Sequence, residues 1–433
     1  MSIEDIYSLY LSSSKICTDT RNISNNVLFF CLKGENYDGN IFAEKALKLG
    51  ANYVIVDNSK YFKNKSNYIL VKDSLKTLQE LAIFHRSKLN AKIIAITGSN
   101  GKTTSKELIY SVLSQKFNTF STIGNLNNHI GVPLSILSLS TETEIGIIEM
   151  GANHLNEIKF LCEIANPHYG YITNFGKAHL EGFGSEISII KGKSELYTYL
   201  KDNNGLAIIN GDDNKQLKLT QKNKKYIFGN SEKADVYFTP KNVNSNKIIL
   251  RYNNFDFESN MIGSYNVSNV SVAIAFGLFF KIPKKNIMQG LKKYSAINNR
   301  SQWVKKGTNL ILMDAYNANP SSMKASINAF IEIAAGAQYT CALDSESALI
   351  CFGRNDHGEA PRHQVAGNGD KFVHISARDR VTCALLDSGT IRCFGAKPHG
   401  MKGFLGTDDS SFEEDWKATD GQFVRLSVGK TSV

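Results

Sequence analysis

The stretch IAITGSNGKTT, from Ile94 to Thr104, is the feature that most constrains this chain. A short apolar run breaks into a glycine turn that ends in Lys-Thr-Thr, and a helix-compatible segment follows. A strand that feeds such a turn directs backbone N–H groups and a helix N-terminus at one spot, which suits a polyphosphate. Lys102 can then reach terminal phosphates, and the Thr103 hydroxyl can bind Mg²⁺. The pattern is not a complete P-loop, because the leading glycine would fall at Ile96; alone it favours nucleotide binding over an ordinary strand–turn–helix corner.

Length and composition indicate a globular protein of several domains. A chain of 433 residues has room for about two to four domains with sizeable cores. The hydrophobic share of 42% is ordinary for such proteins, and no apolar run is long enough to cross a bilayer. Early acids occupy the place where a signal peptide would have a basic region. We therefore expect a cytoplasmic protein without membrane insertion.

The cysteines and the net charge exclude other classes. Seven cysteines are an odd number with no CxxC pair, so we predict reduced thiols in place of a disulfide framework or a zinc site. The net charge of +10 comes from scattered lysines that lack clustered arginines and interleaved aromatics. A solvated lysine-rich surface that also favours anionic substrates is the better interpretation, and we expect no nucleic-acid partner.

The use of charged residues changes abruptly near Phe330. Residues 1–330 hold 35 Lys and 4 Arg against 26 acids, whereas residues 331–433 hold 5 Lys and 6 Arg against 14 acids. Asparagine, plentiful before this point, occurs only twice after it. Because Lys and Arg serve equally on a solvated surface, the change has no folding rationale. It favours two sequences of separate origin over one protein with an atypical last domain.

The last hundred residues contain an internal repeat. Cys341 and Cys383 are 42 residues apart, as are Cys351 and Cys393, and similar residues surround each pair. Short apolar strands divided by Asp-Ser and Gly turns at this period are typical of propeller blades. The segment resembles the regulator-of-chromosome-condensation repeat, and its cysteines are predicted to pack in blade cores. Two blades and a fragment cannot close a ring, so we expect this tail to be poorly ordered, loosely docked or an oligomer-forming edge, with an unknown partner.

The N-terminal segment shows a further group of polar residues. The first 90 or so residues are predicted to form a small α/β domain. Asp19-Thr20-Arg21 and Lys33-Gly34 set hydroxyl, guanidinium and ammonium donors beside flexible backbone, which suits a diphosphate or a carboxylate. Taken alone, such a turn is more often a capped surface loop.

Two polar segments follow the phosphate loop. Ile145-Gly-Ile-Ile-Glu-Met-Gly reads as a buried strand that ends in Glu149, where an acid beside the phosphate-loop strand can hold Mg²⁺. Thr173 opens the segment TNFGKAHLEGFGS, which contains His179. A lone histidine of this kind is more often a capping or core residue than a ligand.

Together these motifs resemble the Mur ligases of bacterial cell-wall synthesis, over residues 1 to about 329. Within that family the pattern is closest to the branch that adds D-alanyl-D-alanine to UDP-N-acetylmuramoyl-tripeptide. The motifs that carry the resemblance are TDTR, LKGENYDG, TGSNGKTT, GNLNNHIGVPLSIL, EMGAN, TNFGKAHLEGFGS, KGKSELY, INGDD, GSYNVSN and DAYNANPSSM.

The resemblance implies a role for each matching position. ATP binding is implied for Gly98, Ser99, Asn100, Gly101, Lys102, Thr103, Thr104, Asn269, Arg300 and Asp314. Binding of the UDP-sugar substrate is implied for Asp19, Thr20, Arg21, Gly34, Asn125 and Asn128. Metal binding, with Mg²⁺ expected, is implied for Thr103, Glu149, His179 and Lys193. Catalytic roles fall to Lys102, His179 and Lys193, and Lys193 aligns with the lysine that Mur ligases carbamylate. Tyr265 departs from the pattern, since histidine is common there.

The implied fold is α/β with a departure at its end. We expect an N-terminal domain over residues 1–90 that binds the UDP-precursor and a central P-loop-type ATP-binding domain over residues 91–309. Residues 310–330 would be the start of the Rossmann-like third domain, which in this family binds the incoming dipeptide. Residues 331–433, a β-rich tail of about two propeller-like blades, stand in its place.

Three hypotheses therefore remain at this point. The chain is a Mur ligase by descent whose ligation through an acyl phosphate is impaired by loss of the third domain, a working ligase whose tail substitutes for that domain, or a binding protein that acts through the tail. The first predicts nucleotide and precursor binding without efficient ligation. The second requires a new D-Ala-D-Ala site in the tail, and no motif there suggests one.

Overall fold

A computed structural model gives the fold of the chain. It describes residues 1–176, 180–231, 233–242, 247–261 and 263–295, and then the segments 302–306, 309–313, 330–335, 338–344, 347–353, 364, 370–378, 380–395 and 412–417. The chain divides into two compact units. The first unit contains Met1–Thr239 and Ser268–Lys293, and the second contains Pro240–Val267 and Tyr294–Val433.

The first unit begins with a small parallel sheet. Its elements are α1 Ile3–Leu11, β1 Lys15–Cys17, β2 Val27–Phe30, β3 Lys33–Gly34, β4 Tyr37–Asp38, α2 Ala43–Lys48, β5 Ala51–Val56, β6 Tyr68–Leu70 and α3 Ser74–Ser87. The sheet has the order β1-β2-β5-β6, and β3 pairs with β4 in a separate hairpin. Ser2 and Asp5 form a reciprocal capping box on α1, and Asp73 caps α3. These caps satisfy N–H groups that a helix start leaves without intrahelical partners.

A seven-stranded sheet forms the rest of the first unit. Its elements are β7 Lys92–Thr97, α4 Lys102–Leu113, β8 Thr119–Ser121, α5 Gly131–Leu137, β9 Ile145–Glu149, α6 Glu157–Ala165, β10 Tyr169–Ile172, α7 Leu180–Phe183, α8 Glu186–Asp202, β11 Leu206–Asn210, α9 Asn214–Leu219, β12 Lys224–Gly229, β13 Val236–Tyr237, α10 Val267–Phe279 and α11 Lys284–Lys293. The strand order is β13-β12-β11-β10-β7-β9-β8, and every pairing is parallel.

The central strand β7 sets the position of the site. Residues Ile93 to Ile96 on β7 are fully buried, as expected for a parallel strand that is covered on both faces. Chain order reverses around β7, because β9 and β8 lie on one side of it and β10 on the other. Ligands of such sheets bind outside the carboxyl ends of the strands at this reversal. We therefore expect a ligand-binding site at the carboxyl ends of β7, β9 and β10.

The second unit contains strands, most of them in antiparallel pairs. Before the tail these are β14 Thr239–Asn242, β15 Ile248–Tyr252, β16 Phe255–Ser259, β17 Gln302–Lys306 and β18 Asn309–Met313, with β14 starting at the last residue of the first unit. The pairs β15–β16 and β17–β18 are antiparallel. The β15–β16 hairpin turns through Asn253 and Asn254, which both have positive φ. Two such residues are typical of a two-residue hairpin turn whose twist matches its strands. The pair Arg251–Asp256 closes this hairpin at 2.6 Å.

The tail repeats its structure with its sequence. Its strands are β19 Phe330–Ala335, β20 Tyr339–Asp344, β21 Leu349–Gly353, β22 Phe372–Arg378, β23 Val381–Leu386, β24 Thr390–Gly395 and β25 Phe412–Lys417. They form two antiparallel sheets, β19-β20-β21 and β22-β23-β24-β25. Side chains from both sheets, among them Leu343, Leu349, Phe372 and Phe394, share one buried cluster. The predicted fold class, α/β followed by a β-rich tail, is confirmed.

The prediction of reduced thiols is wrong for four of the seven cysteines. Cys341 bonds to Cys351, and Cys383 bonds to Cys393. The physical reason is register: each pair lies directly opposite on neighbouring antiparallel strands, with Cα atoms 4.0 Å apart. Cys17, Cys31 and Cys162 are free and buried. The cysteine spacing of ten residues, present in both repeats, was the sequence signal for these bridges.

Reduction is expected to destabilise the tail and leave the first unit unchanged. Each disulfide closes a loop with a sequence separation of 10, so its loss should lower the free energy of unfolding by about 3 kcal/mol. Both tryptophans of the chain, Trp303 and Trp416, belong to the second unit. Tryptophan fluorescence during urea unfolding, with and without dithiothreitol, therefore reports this unit. An unchanged midpoint in reductant would contradict the expectation.

None of the helices in the described part of the chain is long and apolar enough to span a membrane.

Candidate active site

The phosphate loop joins β7 to α4. Gly98 and Gly101 have φ values of 136° and 76°, and α4 starts at Lys102 with Gly101 as its N-cap. These left-handed conformations favour glycine. The Lys102 ammonium donates to the carbonyl oxygens of Gly98 at 2.9 Å and Ser99 at 3.2 Å. The first turn of α4 thus presents N–H groups and a cation at one place, the arrangement that binds phosphate.

The loop after β10 holds the phosphate loop in shape. The Thr173 hydroxyl donates to the Asn100 carbonyl at 2.6 Å, and the Asn100 N–H donates to the Asn174 side chain at 3.1 Å. The Ser99 hydroxyl donates to the Gly176 carbonyl at 2.6 Å. Ser99 and Asn100 therefore act in the structure by fixing the loop backbone. The TNFG segment is a positioning element for the phosphate site.

Gly98→Ala is expected to disrupt this loop. An added Cβ would lie 2.0 Å from the Thr173 hydroxyl oxygen, and the positive φ adds strain of about 1–3 kcal/mol. We expect the affinity for ATP to fall at least about tenfold, measured by equilibrium binding. Gly184→Ala is the matched control, because Gly184 has φ of 74° and open space around its Cβ position. Equal losses in the two variants would show that the contact with Thr173 is unimportant.

Glu149 lies at the end of β9 against the start of α4. Glu149 is buried, with 1% of the residue exposed. One carboxylate oxygen accepts from the Thr103 hydroxyl at 2.9 Å, and the other accepts from the Asn127 side-chain amide at 2.8 Å. The Glu149 N–H donates to the Thr122 hydroxyl at 3.0 Å. The structure thus brings Thr103 and Glu149 together, as a shared Mg²⁺ site requires.

Two residues beside Glu149, Asn127 and Lys106, were not predicted as site residues from the sequence. Asn127 bonds to the carboxylate, whereas the predicted Asn125 and Asn128 are exposed in the same loop. Asn128 accepts from the N–H groups of Ile130 and Gly131 and so caps α5. Lys106 is fully buried, with its ammonium 3.8 Å from a Glu149 carboxylate oxygen. Its spacing of four residues from Lys102 was the available signal, since it places both lysines on one side of α4.

Lys193 is a buried amine on α8. It is 1% exposed, and its Nζ donates to the Ala152 carbonyl at 3.1 Å. The Phe183 ring centre lies 5.3 Å from Nζ. Burial, with a smaller contribution from Lys102, lowers the pKa of Lys193 to about 7. A substantial fraction of this amine is therefore uncharged near neutral pH, in contrast to an ordinary lysine.

Asn269 and Thr104 are the remaining predicted ATP-binding residues in the described part of the chain. Asn269 on α10 is 6% exposed and accepts from the Ser105 hydroxyl at 2.8 Å. An added Cβ on Gly101 would meet this amide at 2.8 Å. Thr104 is buried in the first turn of α4. Asn269 therefore lies against Gly101 of the phosphate loop, and its contact with the nucleotide stays a prediction.

Four of the six predicted precursor residues, Asp19, Thr20, Arg21 and Gly34, lie in the N-terminal sheet region. Asp19 accepts from Arg21 at 2.6 Å, and this hydrogen bond lowers the pKa of the Asp19 carboxyl. The Arg21 side chain is 87% exposed, so its guanidinium is accessible to a ligand. Thr20 is in the single turn that Asp19 caps, and Gly34 belongs to the β3–β4 hairpin, packed against the Tyr37 ring.

Three predicted residues, His179, Arg300 and Asp314, lie outside the described part of the chain. Within that part, no group of three or more His, Cys, Asp or Glu side chains is arranged to hold a metal ion. Thr103 and Glu149 are the predicted metal ligands that the structure shows in contact.

The parallel sheet, its glycine loop and the buried acid on the neighbouring strand define a phosphate-binding α/β protein of the P-loop type. Family models agree with this class and refine it. The Mur ligase middle domain matches residues 96–277, the Mur ligase catalytic domain matches residues 13–86, and the regulator of chromosome condensation repeat matches residues 330–359.

Curated relatives and solved structures extend the match over most of the chain. The UDP-N-acetylmuramoyl-tripeptide–D-alanyl-D-alanine ligase of Bacillus subtilis is 35% identical over 314 residues, covering 72% of this chain and 69% of the relative. The Escherichia coli ligase of the same name is 35% identical, covering 73% of this chain and 72% of the relative. MurF from Acinetobacter baumannii has a TM-score of 0.65 at 29% identity, covering 75% of each chain. MurF from Thermotoga maritima, solved with ADP, has a TM-score of 0.62 at 28% identity, covering 76% of this chain and 78% of that one. The chain belongs to the Mur ligase family.

Proposed function

We propose that the chain is an ATP-dependent ligase of the D-alanyl-D-alanine-adding type whose first two domains bind ATP and UDP-N-acetylmuramoyl-tripeptide. The contact of Thr103 with Glu149 beside the phosphate loop carries the nucleotide part of the proposal. The 35% identity to the Bacillus subtilis and Escherichia coli ligases supports the D-alanyl-D-alanine-adding type. The ADP complex of the Thermotoga maritima relative supports the nucleotide. The domain boundaries near residues 90, 309 and 330 belong to this proposal.

The reaction places several anions together, and the site offsets their charge. The tripeptide carboxylate attacks the γ-phosphorus of ATP, the bond to ADP breaks, and an acyl phosphate forms. The D-Ala-D-Ala amine then attacks the acyl carbon, loses a proton, and releases phosphate. Lys102 and the N–H groups of α4 stabilise charge on the phosphoryl oxygens. Bound Mg²⁺, held by Thr103 and Glu149, would supply further positive charge.

The buried Lys193 amine suits the carbamylation that the resemblance implies. An uncharged amine adds to CO₂, forms a carbamate and releases one proton, and burial favours the uncharged form. The product is a carboxylate-like group that can bind a metal ion. His179 is proposed for the same metal function on the resemblance alone.

Ligation by this chain is proposed to be severely impaired. In the family, the third domain supplies the dipeptide site, and here residues 330–359 match a repeat of another family. On the same resemblance we place the chain in the bacterial cytoplasm. The two tail disulfides need an oxidising environment, so a free-thiol count on protein from reducing cells tests whether they form there.

Binding measurements test the proposal directly. Calorimetric titration should show that ATP·Mg²⁺ and UDP-N-acetylmuramoyl-tripeptide each bind one site per chain. Binding of neither ligand to a folded protein would overturn the proposal.

The packed blades of the tail favour one alternative, a binding module formed by residues 331–433. Limited proteolysis separates the two accounts. A stable core that ends near residues 310–330 would argue against a functional tail, whereas a protease-resistant tail would support it.

A further inference from the structure

Lys106 is a buried cation whose role the phosphate loop does not explain. Its side chain is fully buried on α4, one turn beyond Lys102. Its ammonium donates to the carbonyl oxygens of Thr122 at 2.5 Å and Gly124 at 3.3 Å. It lies 3.1 Å from a Glu107 carboxylate oxygen and 3.8 Å from Glu149. Three separate segments, α4, the loop after β8 and the end of β9, therefore meet at one charge.

The segment held by Lys106 is the loop of residues 122–128, which also contacts Glu149. The Thr122 hydroxyl accepts the Glu149 N–H, and the Asn127 amide donates to the Glu149 carboxylate. The Asn127 carbonyl accepts the Gly151 N–H at 2.7 Å. Lys106 thus bonds to the first part of this loop, and Glu149 bonds to both of its ends, at Thr122 and Asn127. The exposed residues Asn125 and Asn128 lie within it.

We propose that Lys106 is a positioning residue that fixes the 122–128 loop against Glu149 and so orders the precursor side of the site. That the ligand on this side is UDP-N-acetylmuramoyl-tripeptide rests on the proposed function. A buried ammonium requires oxygen partners, because it loses its hydration. The carbonyl oxygens of Thr122 and Gly124 are two of these partners. If the loop moved away, the Lys106 ammonium would be left buried without them or would become exposed to solvent. Lys102, by contrast, bonds to the carbonyl oxygens of Gly98 and Ser99 in the phosphate loop, and we assign it to the nucleotide side.

Amide hydrogen exchange of the unliganded protein is the first test. The Gly151 and Glu149 N–H groups donate to the loop, so their exchange reports its attachment. We expect Lys106→Met to speed both by at least about tenfold, the size typical of a lost hydrogen bond to a charged group. The Ala95 amide of β7 should not change. Unchanged exchange at Gly151 and Glu149 would overturn the proposal.

Ligand binding is the second test, because a merely structural role would not separate the two substrates. Lys106→Met should raise the Kd for UDP-N-acetylmuramoyl-tripeptide at least about tenfold while the Kd for ATP·Mg²⁺ stays within about threefold. Equal weakening of both would overturn the positioning role. If the unchanged chain binds no precursor, the proposed function fails, and the exchange result still decides whether Lys106 holds the loop.

Two further variants keep the test interpretable. Lys116→Met is the matched control: Lys116 also donates to two backbone carbonyls, those of Phe280 and Lys281, and follows the same helix. It should alter neither the exchange of the loop contacts nor precursor affinity. Lys106→Arg keeps the charge and should fall between the original chain and Lys106→Met. If Lys106→Met does not fold, Lys106→Arg alone decides, and exchange at the original rate would then overturn the proposal.

Discussion

Lys102→Ala is expected to weaken ATP·Mg²⁺ binding by about a hundredfold and to abolish any ADP release. Lys102 is the first residue of α4, and its ammonium lies on the carbonyl side of the glycine loop, 2.9 Å from Gly98. A phosphate that binds to the loop N–H groups replaces these carbonyl partners with a full negative charge. The variant removes that charge-assisted contact and leaves the loop backbone intact.

The control for this prediction lies on β7, the strand that leads into the phosphate loop. Lys92→Ala removes an exposed lysine at the other end of β7, so it lowers the net charge equally without touching the loop. Equilibrium titration with a fluorescent ATP analogue compares the two. If both variants bound the ATP analogue with equal affinity, Lys102 would not be part of the nucleotide site.

Glu149→Gln should raise the Mg²⁺ concentration needed for half-maximal ATP binding by at least about tenfold. The glutamine oxygen can still accept from the Asn127 amide, and its NH₂ group can donate to the Thr103 hydroxyl, which reverses that bond. The variant therefore changes charge more than shape. Carboxylate oxygens are preferred Mg²⁺ ligands, and a neutral amide is a weaker one. Titration of ATP binding with Mg²⁺ gives the shift.

Stability supplies a second measure at the same residue. Glu149→Ala removes one partner of a buried pair and leaves the Lys106 charge with less compensation, which should cost about 3 kcal/mol of unfolding free energy. Glu144→Gln is the matched control for both Glu149 variants, because Glu144 precedes the same strand and is exposed. A Mg²⁺ requirement that Glu149→Gln leaves unchanged would show that the metal lies elsewhere.

Much of the first unit could be predicted because its signals are local. The apolar run before Gly98 gave β7, the glycines gave the turn, and the run before Glu149 gave β9. The parallel pairing of these strands then explains why Thr103 and Glu149, 46 residues apart, form a hydrogen bond of 2.9 Å. The repeat of 42 residues in the tail likewise predicted two similar sheets.

The remaining parts of the site depend on contacts that no local pattern specifies. Asn125, Asn127 and Asn128 are chemically alike in sequence, and only the fold turns Asn127 toward Glu149. In the sequence Lys106 is indistinguishable from a surface lysine, and only the packing of α4 beside the loop after β8 buries it. The ten-residue cysteine spacing was a signal for the disulfides, but it predicts a bridge only together with the strand register that places Cys341 opposite Cys351.

We propose that the change of sequence near residue 330 removes ligation, and a measurement of ADP release tests this most directly. The purified chain is incubated with ATP, Mg²⁺ and UDP-N-acetylmuramoyl-tripeptide, with and without D-Ala-D-Ala, beside the Lys102→Ala variant. We predict that the chain binds ATP and shows no ADP release that depends on the dipeptide. Sustained release that requires D-Ala-D-Ala and disappears in Lys102→Ala would contradict this account and show that the tail replaces the third domain.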